Sequence, residues 1–571
     1  MMLEENLLLR IRNLSIGFRM GQHVKVAVKG IDLDVFRGRT LGIVGESGSG
    51  KSVSSLSLMR LLQEDKAVFL DGTVWLHNSL LNELNSGCEK DGTYHVRCAA
   101  SHPVFAELRG KHFAMIFQEP MTALNPVMRC GDQIVEMLKC HFDISRQDAR
   151  AKALELFREV LLPVPEEMLD RYPHELSGGQ RQRVMIAMAM SCQPQLIIAD
   201  EPTTALDVTV QREVLELLKR LQTERGMAMI FITHDLGVVK RMADDVLVMR
   251  SGQMIEMGTA DDVFHRPKEK YTQALLACRP KWGQKLRRLP TIVDVENNSV
   301  DTSTIAALER NEPLIRVVNL SKTFTKTSGL LGTKKEVFHA VDQVTFDIMK
   351  GETLGLVGES GCGKTTLSRM LLGLIPSSSG QVLYNNLDLT KASASQWREV
   401  RNDLQIIFQD PYSALNPRWK IGDAIQEPME VRDFHGSSTQ RRKVVLDLLE
   451  KVGLPADAAE RYPHEFSGGQ RQRIVIARAL ATQPKWIICD ESVSALDVSV
   501  QAQVLNLLND LKTEFGLTYL FISHDLSVVY HMCDRIMVMQ KGRIEEIGAA
   551  DDVFFRSQSA YTKRLLEATL S

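Results

Sequence analysis

The sequence predicts two tandem copies of one α/β domain, each built around a mostly parallel β-sheet. The chain has 571 residues, which is too many for a single hydrophobic core. Long stretches occur twice, such as RYPHELSGGQRQR from Arg171 and RYPHEFSGGQRQR from Arg461. Within each copy, short apolar runs alternate with amphipathic helical stretches, as parallel sheets require. We therefore expect one domain over residues 6–285 and a second over 313–571.

The two copies differ mainly in one insertion and are joined by a polar segment. The first copy is about 22 residues longer between Lys51 and Gln118, and the extra residues fall in the polar stretch around 77–102. We expect a surface insertion there, with a partner contact as the alternative. Residues 286–312 are rich in acids and have no periodic apolar face, which predicts a flexible linker. A short linker would let the two copies pair as a pseudo-twofold dimer.

Composition excludes several classes of function. The chain has 69 basic and 71 acidic residues, so bulk electrostatic binding to nucleic acid is not expected. No run of 18 apolar residues occurs, and the N-terminus carries acids where a secretion signal would be basic. We expect the chain to stay in the cytoplasm, with its nine scattered cysteines reduced.

A glycine-rich phosphate loop occurs in each copy, as GESGSGKS and as GESGCGKT. Each follows an apolar strand and precedes a helix, so its backbone N–H groups can surround phosphates. Lys51 and Lys364 are predicted to reach the β- and γ-phosphates, and Ser52 and Thr365 to hold Mg²⁺. The predicted ATP-binding residues of the loops are Gly45, Glu46, Ser47, Gly48, Ser49, Gly50, Lys51 and Ser52, and Gly358, Glu359, Ser360, Gly361, Cys362, Gly363, Lys364 and Thr365.

Two adjacent acids end an apolar strand in each copy, in LIIADE and WIICDE. A buried strand has no structural need for paired carboxylates at its carboxyl end, where α/β sheets place ligands. Asp200 and Asp490 fit the support of Mg²⁺. Glu201 and Glu491 fit the base that orients and activates the attacking water.

An SGGQ motif precedes a helix-forming run in each copy and supplies a second anion-binding helix start, without a lysine. Two such starts per domain suggest that one serves its own nucleotide and the other serves the neighbour's. The predicted residues are Ser177, Gly178, Gly179 and Gln180, and Ser467, Gly468, Gly469 and Gln470.

With these motifs stand a glutamine (IFQEP and IFQDP), an ALD segment and a histidine (ITHD and ISHD). In order and spacing, in both copies, the set resembles the ATP-binding cassette ATPases, and the resemblance covers essentially the whole chain. It implies that Gln118 and Gln409 contact Mg²⁺ and the attacking water and report to a membrane partner. It also implies that His234 and His524 hold the γ-phosphate region.

The resemblance assigns two further pairs of residues. Asp207 and Asp497, in the ALD segments, would cross an interface between the domains. Phe18 and Phe324 would stack on adenine, and a plain core role is the alternative for both.

In that family the domains form a head-to-tail sandwich, with each nucleotide between a phosphate loop and the other domain's signature. Lys51 and Glu201 would share one nucleotide with Ser467, Gly468 and Gly469, and Lys364 and Glu491 would share the other with Ser177, Gly178 and Gly179. Both sites keep every catalytic residue type, so both are expected to hydrolyse ATP. The one departure is Ser492 where the family has proline, and we expect only a modest effect.

Two classes of cassette protein lack membrane domains of their own. One energises a membrane transporter, and the other is a soluble tandem-cassette factor that acts on ribosomes or DNA. The short acidic linker is poor for RNA, and the cysteine pairs of DNA-repair relatives are missing, which favours import. FQEP…ALNP, RYPHE, YTQALL and YTKRLL resemble the peptide, opine and nickel uptake subfamily, and the solute expected from the resemblance is glutathione or a short peptide.

The resemblance also implies the setting. The chain would bind ATP and Mg²⁺ and work with two integral-membrane permease subunits and a periplasmic or lipid-anchored solute-binding protein, at the cytoplasmic face of the inner membrane. Many relatives carry a cysteine cluster for an iron–sulfur centre near a domain end. Only Cys278 lies in such a region here, so no cluster is expected.

Overall fold

The computed structural model describes residues 6–63, 65–76, 93–95, 105, 108–203, 206–304, 312–328, 334–494 and 496–570. Counting only these residues, the chain divides into two compact units. The first consists of Met1–Leu206, Val210–Leu276 and Val295–Asn297, and the second of Asp207–Thr209, Ala277–Asp294 and Asn298–Ser571. The insertion expected around 77–102 lies outside the described residues, except for the strand Thr93–His95.

The first unit contains the predicted parallel sheet. Its strands are β3 (Thr40–Gly45), β6 (Phe113–Ile116), β7 (Leu196–Asp200), β8 (Ala228–Ile232), β9 (Asp245–Arg250) and β10 (Gln253–Thr259). The order is β10-β9-β3-β8-β7-β6, with parallel pairing from β9 to β6 and β10 antiparallel at the edge. The prediction of a mostly parallel sheet is confirmed. Strand β3, which leads into the phosphate loop, is buried at every position between β8 and β9.

A second, antiparallel sheet is formed by strands that lie on both sides of β3 in the chain, and the sequence pattern does not distinguish it from the parallel sheet. Its strands are β1 (Leu7–Met20), β2 (His23–Phe36), β4 (Ala67–Leu76) and β5 (Thr93–His95), in the order β2-β1-β4-β5. Register shifts in the pairing of β1 with β2 break the strict alternation of buried and exposed residues. The two-residue period is therefore weak in the sequence.

Helices cover the parallel sheet of the first unit. The helices of this copy are α1 (Lys51–Leu58), α2 (Pro120–Ala123), α3 (Cys130–His141), α4 (Arg146–Glu159), α5 (Pro165–Met168), α6 (Gly178–Met190), α7 (Val208–Arg225), α8 (Leu236–Met242), α9 (Ala260–His265), α10 (Lys270–Ala277) and α11 (Ile292–Glu296). The apolar side chains of one sheet face pack with helices such as α3, α4 and α6, and those of the other face pack with the antiparallel sheet. Close packing of apolar side chains on both faces of the parallel sheet thus fixes the ends of its strands.

The second unit repeats this architecture. Its strands are β11 (Pro313–Ser328), β12 (Lys334–Met349), β13 (Thr353–Val357), β14 (Ser379–Tyr384), β15 (Leu387–Asp388), β16 (Leu404–Ile407), β17 (Trp486–Asp490), β18 (Thr518–Ile522), β19 (Arg535–Gln540) and β20 (Arg543–Ala549). They form sheets in the orders β12-β11-β14-β15 and β16-β17-β18-β13-β19-β20. Its helices are α12 (Lys364–Leu371), α13 (Ala394–Asp403), α14 (Pro411–Ala414), α15 (Ile421–Val431), α16 (Ser438–Lys451), α17 (Gly468–Leu480), α18 (Val498–Phe515), α19 (Leu526–Met532), α20 (Ala550–Phe555) and α21 (Ala560–Leu570).

Residues Ala277–Asp294 follow the last large helix of the first copy but pack in the second unit. The Trp282 ring stacks on Tyr530, with ring centroids 6.3 Å apart. The backbone N–H of Leu289 donates to Asn506 Oδ1 at 2.8 Å, and Asn506 Nδ2 donates back to the Leu289 carbonyl at 2.9 Å. Part of the predicted linker is therefore ordered by its contacts, and the boundaries at 285 and 312 stay a prediction.

His531 lies beside this segment and is expected to make the second unit sensitive to acid. It is 2% exposed, and neither ring nitrogen has a hydrogen-bond partner among the described residues. Burial, assisted by the Lys285 charge, lowers the pKa of His531 to about 4. The unfolded chain takes up this proton near pH 6.5 and the folded chain only near pH 4, so the unfolded state binds more protons between those values.

Acidification from pH 6.5 to 4 should therefore cost this unit up to roughly 3 kcal/mol of unfolding free energy through His531 alone. His531→Leu should remove that part of the pH dependence in urea titrations followed by tryptophan fluorescence. The matched control is His339→Leu, which replaces an exposed histidine of the same unit. Equal pH dependence in the His531 and His339 variants would contradict the assignment.

Candidate nucleotide site

The first phosphate loop connects β3 to α1, and its glycines adopt backbone angles that other residues avoid. Gly48 and Gly50 have φ of 77° and 98°. A Cβ on Gly45 would lie 2.2 Å from the Met249 carbonyl oxygen, and one on Gly50 would lie 2.9 Å from the Ala27 carbonyl oxygen. These glycines are thus required by close backbone approach as well as by φ.

The lysine of the loop is turned back onto its own backbone. Lys51 is 6% exposed, and its Nζ donates to the carbonyls of Gly45 and Glu46, both at 2.8 Å. The loop thus holds a buried ammonium group, and burial strengthens the interaction of such a group with an anion. The hydroxyl of Ser49 is buried there without a hydrogen-bond partner in the described part of the chain.

The hydroxyl and carboxylate predicted to hold Mg²⁺ are adjacent in the first unit. Ser52 Oγ donates to Asp200 Oδ1 at 3.0 Å. Burial, with a contribution from the Glu201 charge, raises the pKa of Asp200 to about 6. Removing a carboxylate from water in this way favours neutralisation by a cation.

Glu201 follows β7 in a left-handed backbone conformation. Its N–H donates to the Ile232 carbonyl at 2.8 Å, and its φ is then 46°. A non-glycine residue in this region carries about 1–3 kcal/mol of strain, which is common at functional sites. The turn places the carboxylate where Gln118 Nε2 donates to Oε2 at 2.8 Å and His234 Nδ1 lies 3.2 Å from Oε1.

The contact with Glu201 changes the pKa of His234. Burial lowers the pKa, but the hydrogen bond and charge of Glu201 outweigh burial, so the net shift is upward. A raised pKa keeps more of the imidazole protonated near neutral pH, which suits contact with an anion.

The second unit repeats the lysine and the glutamate. Lys364 Nζ donates to the carbonyls of Gly358 and Glu359 at 2.7 and 2.9 Å. Glu491 has a φ of 48° and accepts from Gln409 Nε2 at 2.7 Å.

The histidine pairing is looser in the second unit. His524 Nδ1 lies 3.5 Å from Glu491 Oε2, and the hydrogen bond with His524 lowers the pKa of Glu491, so the carboxylate stays ionised. Burial, with the nearby Glu491 charge, raises the pKa of Asp490. Among the described residues, Thr365 does not donate to Asp490 as Ser52 does to Asp200.

The signature motifs lie at helix starts, as predicted. Ser177 caps α6: its Oγ accepts from the Gln180 N–H at 3.3 Å, and Gln180 Oε1 accepts from the Ser177 N–H at 3.0 Å. Ser467 and Gln470 form the same capping box at α17. The side chains of Gln180 and Gln470 therefore stabilise the helix starts through hydrogen bonds to Ser177 and Ser467 of the same motif.

The glycines of the motif allow close helix packing. A Cβ on Gly179 would lie 2.5 Å from Val210 Cγ1, and one on Gly469 would lie 2.1 Å from Val500 Cγ1. At Gly178 and Gly468 a Cβ would have room. The second glycine of each motif is thus a packing requirement, and the first leaves the helix start open to a ligand.

Three other predicted residues lie on β1, on β11 and at the start of α18. Phe18 is half-buried on β1, and Phe324 is 43% exposed on β11 with Lys322 Nζ 5.2 Å from its ring centroid. Asp497 caps α18 by accepting from the Val500 N–H at 3.1 Å. The stacking and interface roles of these residues stay predictions.

The residues present fit a magnesium nucleotide. Each unit has a backbone cradle that a Cβ would fill, a buried lysine against carbonyls, and an aspartate with a raised pKa at the end of the adjacent strand; in the first unit this aspartate accepts from the loop hydroxyl. Serine or threonine hydroxyl and carboxylate oxygens are ligands that Mg²⁺ prefers.

Two tyrosines of the motifs YTQALL and YTKRLL contact the phosphate loops, a role that these motifs alone do not predict. Tyr271 on α10 and Tyr561 on α21 reach Glu46 and Glu359, the second residues of the loops. The signal that could have found them is the recurrence of YT at the same place in both copies.

None of the described helices combines the length and the hydropathy needed to cross a bilayer.

Comparison with known proteins agrees with this geometry. The family model described as "ABC transporter" matches residues 28–204 and again 341–494. The model described as "Oligopeptide/dipeptide transporter, C-terminal region" matches residues 255–304.

Full-length relatives are similar along nearly the whole chain. The Glutathione import ATP-binding protein GsiA of Escherichia coli (strain K12) is 47% identical over 98% of this chain and 89% of its own length. The protein of that name from Pectobacterium atrosepticum is 46% identical over 100% of this chain and 90% of its own length.

A solved dimeric ATP-binding cassette with ADP and Pi is 28% identical over 41% of this chain and 98% of its own length, with a TM-score of 0.37.

The two matched cassettes, the repeated site and the similarity of the whole chain lead to one conclusion. The chain belongs to the ABC transporter family, as an ATP-hydrolysing protein with two ATP-binding cassettes in tandem.

Proposed function

We propose that this chain is the ATPase subunit that drives import of glutathione or short peptides through separate permease subunits. The observation that supports it most is the similarity of 98% of this chain, at 47% identity, to a protein named for glutathione import. The match of residues 255–304 to a region of oligopeptide and dipeptide transporters is in agreement.

The chemistry proposed for each site uses residues already in contact. Glu201 would accept the proton of the attacking water, and the bonds from Gln118 and His234 would hold its carboxylate in place. Lys51 would exchange its two loop carbonyls for phosphate oxygens as nucleotide enters.

Mg²⁺, held by Ser52 and Asp200, would supply positive charge to the phosphates. Lys364, Gln409, Glu491 and His524 would act in the same way in the second unit, with Thr365 and Asp490 at the metal. Completion of each site by the other cassette's signature, Ser177–Gly179 or Ser467–Gly469, stays part of the proposal.

The partner proposed for each glutamine region is an apolar helix of a permease subunit. Around Gln118, the side chains of Met121 and Val127 are 58% and 79% exposed. Around Gln409, those of Tyr412 and Trp419 are 63% and 40% exposed. Exposed apolar groups gathered beside a reactive site are typical of a protein contact. We place the chain at the cytoplasmic face of the membrane, with a solute-binding protein delivering the substrate outside.

The test is uptake of labelled glutathione, a dipeptide and nickel in cells with and without this gene. Glutathione or dipeptide uptake should fall to background in the Lys51→Ala, Lys364→Ala variant, since ATP can no longer drive transport. The control is Lys240→Ala, which removes an exposed lysine on α8 and should transport normally. Unchanged uptake of all three solutes would contradict the proposal and favour the alternative, a tandem-cassette ATPase that acts on ribosomes.

A further inference from the structure

A helix near the end of each cassette, α10 or α21, reaches the phosphate loop through a buried tyrosine. Tyr271 is 4% exposed and Tyr561 is 5% exposed. In the first unit the Tyr271 hydroxyl donates to Glu46 Oε2 at 3.4 Å. In the second, the backbone N–H of Glu359 donates to the Tyr561 hydroxyl at 3.2 Å. Both contacts are made to the same position of the loop, the residue after its first glycine.

That position supplies one of the two carbonyls that accept from the loop lysine. The Glu46 carbonyl accepts from Lys51 Nζ at 2.8 Å, and the Glu359 carbonyl accepts from Lys364 Nζ at 2.9 Å. A hydroxyl bonded to this residue therefore helps to hold one of the two carbonyls that orient the lysine. The tyrosine hydroxyls contact Glu46 and Glu359, so we expect their effect on nucleotide to pass through the loop.

The tyrosines are themselves held in place by a repeated anchor. Glu256 on β10 accepts from the N–H groups of Lys268 and Glu269, at 2.9 and 3.2 Å, just before α10. Its counterpart Glu546 on β20 accepts from the N–H of Gln558 at 2.8 Å, just before α21. Each tyrosine thus projects from a helix whose start is bonded to the edge of the parallel sheet.

In the first unit the ring has a second support. The guanidinium carbon of Arg250 lies 4.5 Å from the Tyr271 ring centroid, and Arg250 also pairs with Glu296 at 2.6 Å. Burial, together with the Glu46 carboxylate, raises the pKa of Tyr271, so its hydroxyl remains a donor at physiological pH.

We infer that Tyr271 and Tyr561 are positioning residues of the two nucleotide sites, which set the affinity for ATP by holding Glu46 and Glu359 in the loop. The inference rests on the proposed binding of ATP at these loops. Loss of one such hydrogen bond corresponds to about 3- to 10-fold in an equilibrium constant. The effect should appear in KM, because the hydroxyls are bonded to the loop and not to the groups around Glu201 or Glu491.

The experiment measures ATP hydrolysis by the full chain carrying Tyr271→Phe and Tyr561→Phe together. We expect KM for ATP to rise about 3- to 10-fold and kcat to stay within about twofold of the wild type. The matched control is Tyr519→Phe, which also removes a buried tyrosine hydroxyl, one that donates to the Leu508 carbonyl at 3.0 Å. That variant should lose stability in urea without a change in KM.

The outcomes separate this inference from the proposed function. A KM equal to that of Tyr519→Phe, or a loss confined to kcat, would overturn the positioning role. The Lys51→Ala, Lys364→Ala variant is measured beside it: if that variant still binds ATP normally, the proposed sites themselves are wrong. If it loses ATP while the tyrosine variants match their control, only the positioning role fails.

Discussion

Replacement of Glu201 by glutamine should slow ATP hydrolysis at the first unit's site by about 10²-fold or more, because the carboxylate that accepts the water's proton is lost there. Glutamine keeps the size of the side chain and can still accept from Gln118 Nε2, so ATP should bind as before. Glu491→Gln should have an equally large effect, since the two glutamates share their left-handed backbone and their glutamine partner.

The measurement is phosphate release by the purified chain at saturating ATP, with binding followed separately by a fluorescent ATP analogue. Glu136→Gln, at an exposed position of α3, is the control and should hydrolyse normally. Very unequal effects of the two glutamate variants would contradict the prediction that both sites are active.

Lys51→Ala and Lys364→Ala should each abolish tight ATP binding at one loop, and the double variant should bind almost none. Lys51 and Lys364 are 6% and 8% exposed, and each ammonium group donates to two carbonyls of its own loop. A hydrogen bond between such an ammonium group and an anion is about twice as strong as a hydrogen bond between neutral groups. Titration with the same analogue should show a weakening of at least about 10²-fold at the altered loop.

Retained high-affinity binding in the double variant would contradict the account. Lys485→Ala is a useful control because it removes an exposed lysine whose Nζ pairs with Asp403 at 2.9 Å on the surface of the second unit. It should leave the binding curve unchanged.

Much of the fold follows from the sequence because the repeat is long and the buried strands are strongly apolar. Each run such as LIIAD lies within the parallel sheet, and the acids that end it lie at the carboxyl edge, as the pattern predicts. The antiparallel sheets were harder to separate because the bulges in β1 and β11 disturb the two-residue period.

The candidate site was predicted in its residue types but not in its contacts. Sequence spacing shows that Glu201 follows a strand, but the left-handed turn that aims it depends on pairing with Ile232 of the next strand. The bonds of Lys51 to its own loop depend on the loop's closed backbone. Gln180 was predicted as a nucleotide ligand, and its side-chain bond to Ser177 is a capping interaction that the SGGQ pattern also satisfies.

Long-range packing explains the rest. Leu289 lies in the stretch that composition predicts as linker, and Asn506, more than 200 residues away in the chain, bonds to its backbone. The sequence marks Tyr271 only by its recurrence as Tyr561. Its contact with the phosphate loop depends on how α10 packs, which the sequence pattern does not predict.

The most direct test of the central claim is the number of ATP molecules bound per chain. Equilibrium dialysis with labelled ATP and Mg²⁺ would use the Glu201→Gln, Glu491→Gln variant, in which bound ATP is not consumed. We expect two ATP per chain, falling to one when either Lys51→Ala or Lys364→Ala is added. A single ATP in the parent variant, or a count that neither lysine change lowers, would contradict the assignment of two ATP-hydrolysing cassettes.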